Sequence, residues 1–240
     1  MQRQESTAAP TGSSPGRLGA LLLLADPRLP TGAHAHSGGV EAAVRAGRVR
    51  DTAELAQFLT GRLHTAGLTA AGLAAAAATA DGDAQRLREL DAEADARTPS
   101  AAARATSRKL GRQLLRAAAA LWPGPELRAL TAADPQQPVG PHQPVVLGAV
   151  AGLAGLTATE AAGLAAYESV NGPAAAGVRL LGLDPYEVAA VLAQLTPQVD
   201  ELAAAAVRAV ERGELPASGS PLLEIYAEQH AARKGRLFAS

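Results

Sequence analysis

Cysteine is absent from the 240-residue chain, and that one gap removes disulfides, thiolate metal sites and thiol nucleophiles together. Any metal ligand has to be His, Asp or Glu. Aromatic residues make up only 2% of a chain that is 48% hydrophobic, so the core must be built from Ala, Leu and Val. That composition favours closely packed helices over a sheet. Charge of one sign is not in excess: 22 Lys+Arg against 23 Asp+Glu leave a net charge of -1. No global field draws in nucleic acid or an anionic membrane. Residues 18–25 are too short an apolar run to span a bilayer, and Ala-rich 74–78 falls far below the ~20 apolar residues of a membrane helix. Residues 1–16 are polar, carry Pro, Gly and Ser and lack an apolar stretch, which reads as a flexible tail rather than a signal peptide. A soluble, cytoplasmic chain without a membrane or nucleic-acid partner is expected.

Sequence motifs of catalysis are missing as well. A phosphate-binding loop needs glycines for close backbone approach and a lysine followed by Ser or Thr, and neither Lys109 nor Lys234, the two lysines, follows such a loop. The chain is therefore not itself a P-loop GTPase or ATPase. The serine-hydrolase elbow, the paired-histidine zinc motif and the dinucleotide fingerprint are also absent.

What is present is helical patterning. A short apolar helix or turn at 18–25 ends at Asp26-Pro27, and Val40, Ala43 and Val44 follow at helical spacing up to Gly47. Asp51 and Glu54 have the spacing of a capping box, ahead of Leu55, Phe58, Leu59, Arg62 and Leu63. An uncharged Ala-rich helix over 68–79 suits close crossing of its neighbours, and a further helix runs to about Arg97. Thr98-Pro99 predicts an N-cap and first residue of a helix reaching about Leu121. Prolines crowd the stretch 122–144, which reads as an internal linker with at most one turn at 126–130. A helix resumes at 145–155, Thr157 and Glu160 repeat the capping-box pattern, and Asn171-Gly172-Pro173 is expected to interrupt the stripe through Leu164, Tyr167 and Val170. Asp184-Pro185 opens a helix toward Arg212, with a kink or restart expected at Pro197, and 222–232 forms a last amphipathic segment. The fold expected is all-α: a flexible tail over 1–16 and one bundle of roughly eight to ten helices over 17–240.

Four polar residues between positions 34 and 41 invite chemistry. His34 and His36 alternate, so an extended segment would point both imidazoles to one side, but two neutral ligands alone make a weak metal site. A packed or hydrogen-bonded pair is the competing reading. Ser37 beside His36 suggests a nucleophile, against which stands a helix-capping role; Glu41 suits a first-turn acid favoured by the helix dipole.

The run LLLLADPRLPTG at 21–32, followed by HSGGVE at 36–41, closely resembles the N-terminal signature of the urease accessory proteins of the UreF family. SRKLGRQL at 107–114 resembles the family's central helix, and PVVLG at 144–148 the segment that reopens helices after the linker. Tyr167, the Val178-Arg179-Leu180 run, and the ending from His230 through Arg236, Leu237 and Phe238 match too, so all but the tail is covered. His34 and His36 stand where the family more often has aromatic residues, and Val40 where Leu is usual.

The resemblance implies an all-α fold, a homodimer, and a complex in which the chain bridges the accessory protein UreD and the nickel-carrying GTPase UreG to deliver nickel to apo-urease. It implies a non-enzyme with no catalytic residue, no metal site and no cofactor of its own, nickel being handled by the complex. Asp26, Pro30, Gly32, His36, Ser37, Gly38, Gly39 and Glu41 fall in the signature and are expected to shape a rigid docking turn, or simply a structural one. Tyr167 lies in a segment near the family's dimer contact, with core packing as the alternative. Arg179 and His230 are expected partner contacts, and Arg236, Leu237 and Phe238 belong to a tail that in this family helps bind UreD. Two rivals remain at this point: a helical regulatory module unrelated to urease, and a metal-dependent enzyme using His34, His36 and Glu41.

Overall fold

The computed structural model describes residues 16–122, 140–233 and 237–238. The helices are α1 (Arg17–Ala25), α2 (Val40–Arg45), α3 (Thr52–Arg62), α4 (Leu68–Ala78), α5 (Ala84–Ala96), α6 (Ala101–Leu121), α7 (Gln143–Leu153), α8 (Ala158–Leu181), α9 (Pro185–Glu211) and α10 (Pro221–Ala231). A π-helical turn, Leu63–Gly67, runs α3 directly into α4, and a single 3-10 turn occupies Ala33–Ala35. Among the described residues there is no strand, so the all-α expectation stands.

α4 and α8 lie at the centre. One apolar cluster joins α2, α3, α8 and α9 through Val40, Leu55, Leu59, Leu63, Val170 and Leu195. A second ties α1, α6 and α7 to α8 through Leu24, Leu114, Leu147 and Leu164, and a third packs α5 under α4 and α7 through Leu73, Leu87, Leu90 and Val145. Small residues make this compaction possible. On α7, a Cβ at Gly148 would sit 2.1 Å from the Ala74 carbonyl oxygen of α4, so the two backbones touch where only glycine fits. The Ala-rich composition is thus the condition for the α4–α7 crossing.

Several expected boundaries shift, each for a physical reason. Asp51 caps α3 as expected, accepting from the Glu54 amide at 2.8 Å, but Glu54 reaches the Arg50 amide rather than closing the box. The box at Thr157 and Glu160 is complete. Arg17 Nε donates to both Glu160 oxygens at 2.9 Å and ties α1 to that helix start. α6 is capped by Ser100, not Thr98. Glu224 and Glu228 of α10 accept from the Ser100 amide (2.7 Å) and the Ser100 hydroxyl (2.6 Å), and Glu228 also takes the Ala102 amide. Acidic groups at a helix N-terminus are favoured by its dipole, and these come from residues more than 120 positions away. α7 begins at Gln143 with Pro144 in its first turn, so the expected linker ends sooner than residue 144. The rest of it, 123–139, lies outside the described residues, as do residues 1–15 of the expected tail.

Both internal prolines are absorbed. α8 continues through Pro173, contrary to the expected interruption, and α9 continues through Pro197, so of the expected kink or restart the restart does not occur. A proline in a helix strands the carbonyl four residues back. Ser169 and Ala193 are those residues, and each oxygen has found another donor: Arg62 Nε at 2.7 Å and the Thr196 hydroxyl at 2.7 Å.

Candidate functional site

The signature segment is a chain of tight turns between α1 and α2. Asp26 starts it: its carboxylate accepts from the Arg28 amide at 2.8 Å and from the Arg28 guanidinium at 2.6 Å, and those bonds hold Asp26 down at about 2. Pro30 is exposed. Gly32, Gly38 and Gly39 have φ of 77°, 59° and 96°, the left-handed region open to glycine. At Gly38 a Cβ would meet the Pro173 ring at 2.8 Å, so the turn also presses on α8. Arg62 then fixes it, donating through Nη1 to the Gly38 carbonyl at 2.8 Å while Nε holds Ser169. Burial draws Arg62 down to about 10, with Glu224 pulling the other way.

Ser37 is fully buried and its hydroxyl accepts from the Glu41 amide at 3.4 Å, while the N-cap position of α2 is taken by Gly39 rather than by Ser37. His36 is buried, and desolvation, followed by the fields of Lys109, His34 and His230, pulls it down to about 4. His34 is exposed, and its carbonyl accepts from Arg179 at 3.0 Å. The two imidazoles therefore do not share one environment. Among the described residues no three His, Asp or Glu side chains converge on a point that would suit a metal.

Glu41 is the centre of the arrangement. Only 1% exposed, it accepts from Arg45 at 2.7 Å, His230 Nε2 at 2.9 Å, and the Leu237 and Phe238 amides at 3.0 and 3.1 Å. Burial by itself would raise this carboxyl, but the four donors outweigh it and hold it at about 2. The first-turn acid of α2 thus doubles as an anchor for the chain's end. Phe238 is buried, with the Arg179 guanidinium 4.5 Å from its ring centroid, while Leu237 is 67% exposed. Leu222 and Ile225 of α10 are exposed as well.

The structure thus brings His230, Leu237, Phe238 and Arg179 onto the signature segment across nearly the whole sequence. Arg236 lies outside the described residues. Tyr167 is not part of this site; it is half-buried against the first apolar cluster.

Two polar groupings went unnoticed in the sequence. Arg62 was visible only as a cation on an apolar helical stripe, between Leu59 and Leu63. The second grouping centres on Asp91, which accepts from Arg108 Nη1 at 2.9 Å and from the His142 amide at 2.6 Å. Arg108 also holds Asp95 at 2.6 Å, and the His142 ring bridges Asp95 (2.8 Å) and Ser107 (3.0 Å). Burial draws His142 down against the pull of Asp95 and Asp91. Next to it, Gln143 donates to Glu168 at 2.6 Å, and burial pushes Glu168 up to about 7. No helix among the described residues is long and apolar enough to cross a membrane.

Comparison with known proteins agrees with the signature. The UreF family model matches residues 49–196. The urease accessory protein UreF of Mycobacterium sp. (strain JLS) is 45% identical over 92% of this chain and 97% of its own length. Those of Mycolicibacterium vanbaalenii (strain PYR-1) and Mycobacterium tuberculosis (strain H37Ra) are 44% and 41% identical, each over 93% of this chain and 99% of their own. With the signature, the helical architecture and this similarity along almost its full length, the chain belongs to the UreF family of urease accessory proteins.

Proposed function

We propose that the chain is a non-catalytic scaffold of urease maturation that bridges UreD and the GTPase UreG and couples the nucleotide cycle of UreG to nickel insertion into apo-urease. It acts in the cytoplasm as a homodimer, with Tyr167 near the contact, and holds no cofactor of its own; nickel is handled by the complex. A scaffold of this kind works by differential binding, favouring the partner state that docks best.

The observation that carries the reading is the Glu41 anchor. One buried carboxylate links the signature turn, α10 and the C-terminal tail, and the joined surface presents Leu222, Ile225 and Leu237 outward. Exposed apolar side chains fixed on a rigid frame suit protein docking rather than chemistry. The sequence offers no loop to bind a nucleotide, so GTP turnover falls to UreG.

The test is co-purification. Co-expressed with UreD and UreG, the full chain is expected to co-elute with both, and removal of residues 235–240 is expected to leave the helices folded while lowering recovery of UreD. If the full chain alters neither assembly nor urease activation, the scaffold reading fails; unchanged UreD recovery after the deletion removes the tail from it.

A further inference from the structure

Beside the signature turn lies a cavity of about 440 Å³, bounded by α4, α6, α10 and Gly38-Gly39. Its size falls within the range of small-molecule pockets. Most of the wall is apolar, with Leu73, Leu110, Leu223 and Tyr226 among its larger side chains. Arg62 also lines it.

Arg62 is an unusual cation. Its two hydrogen bonds, to the Gly38 and Ser169 carbonyls, use two of the five N–H groups a guanidinium carries. Both acceptors are neutral, and among the described residues Arg62 has no ion pair. Glu224 stands close enough to favour its charge, but its carboxylate accepts the Ser100 amide at 2.7 Å. Arg62 is half-buried, and a guanidinium whose hydrogen-bond partners are neutral keeps donors available for an anion. Here the free edge of the fork borders an open, largely apolar space.

We propose that this cavity is a binding site for a small monocarboxylate with an aliphatic body, its carboxylate on the Arg62 guanidinium and its chain against α4, α6 and α10. A guanidinium fork matches a carboxylate two-pronged. A single negative charge fits better than a phosphate dianion: Glu224 sits on the same wall, and the wall's other arginine, Arg97, is already paired with Glu93. An aliphatic body fits better than a polar one, because the wall offers mainly methyl and methylene groups. A bound carboxylate would add a third partner to the residue that joins Gly38 to Ser169, and so stiffen the signature turn against α8.

Octanoate is the probe, with the full chain in calorimetric titration and thermal unfolding. Saturable binding at one site and a raised Tm are expected, with octanol and inorganic phosphate each at least about tenfold weaker. Arg62→Gln should weaken octanoate at least about tenfold, and Arg62→Lys less, since the charge stays while the fork is lost. Arg62→Gln also removes two structural hydrogen bonds, so Ala103→Phe, which fills the cavity and leaves Arg62 intact, serves as the second variant; it too should abolish binding. The proposal is overturned if octanoate fails to bind at about 10 mM, if octanol or phosphate binds as tightly, or if folded Ala103→Phe binds octanoate like the parent chain.

Discussion

Glu41 and Asp91 are each 1% exposed, and hydrogen-bond donors converge on both, four on Glu41 and two on Asp91. The donors differ. Those of Asp91 come from α6 and from the residue that caps α7, elements pinned by the second and third apolar clusters. Two of the four donors on Glu41 are the amides of Leu237 and Phe238, and of these two side chains Phe238 is buried and Leu237 exposed. The same chemistry therefore locks a core in one place and clasps a terminal segment in the other. A charge-assisted anchor on a short tail is exchangeable in a way that a network among packed helices is not.

The sharpest way to break this comparison is at Arg108. Arg108→Ala leaves Asp91 without its cation and Asp95 with only the longer Arg104 contact and the His142 ring, and breaking a buried pair from one side costs about 3–5 kcal/mol. Thermal unfolding followed by circular dichroism should show Tm lowered by roughly 10 °C. An unchanged Tm would mean the network is not a lock.

Glu41→Gln should act more locally and cost about 2 kcal/mol, since an amide cannot accept from all four donors. Hydrogen exchange at the Leu237 and Phe238 amides should accelerate strongly while α3 and α8 stay protected. Because Glu41 is held at about 2 when docked, below its ordinary value of 4.5, tail docking is fully supported above pH 4.5 and weakens as pH falls toward 2. The glutamine variant should lose that dependence between pH 4.5 and 2.

Glu168 carries the opposite sign. Pushed up to about 7, it favours the folded state fully below pH 4.5, and that advantage is lost as pH rises through 7. Glu168→Gln keeps the shape and removes the buried charge, so at pH 8 it should raise Tm by roughly 5 °C and at pH 4 by far less. Equal shifts at both pH values would refute the buried-acid reading.

The smallest effect is expected at Pro173. Pro173→Ala restores an amide that competes with Arg62 for the Ser169 carbonyl, and should change stability by no more than about 1 kcal/mol. Its readout is the mobility of Gly38 and Gly39, seen as faster exchange of nearby amides; unaltered exchange would show that Arg62 does not depend on the proline.

Much of the fold was legible in the sequence, because capping residues and apolar spacing act over a few positions. Asp51, Thr157 and Asp184 cap the helices they were expected to open, and Gly47 closes α2 with the Gly47 and Arg48 amides on the Val44 and Ala43 carbonyls. Legibility ended where a distant group took over a local task. Ser100 displaced Thr98 as cap because two acids of α10 reach it, and Pro173 stayed helical because Arg62 satisfies the carbonyl it strands.

The site divides along the same line. By its own pattern the sequence determined an all-helical chain with a glycine-bearing turn at 32–39, since those features depend on composition and on backbone freedom at single residues. Only the tertiary structure decided that Glu41 faces inward to hold His230, Leu237 and Phe238, and that Arg62 ends at a cavity wall. Those arrangements depend on which buried charge meets which donor after the helices have packed, and pairings across 189 to 197 residues leave no periodic trace in the chain.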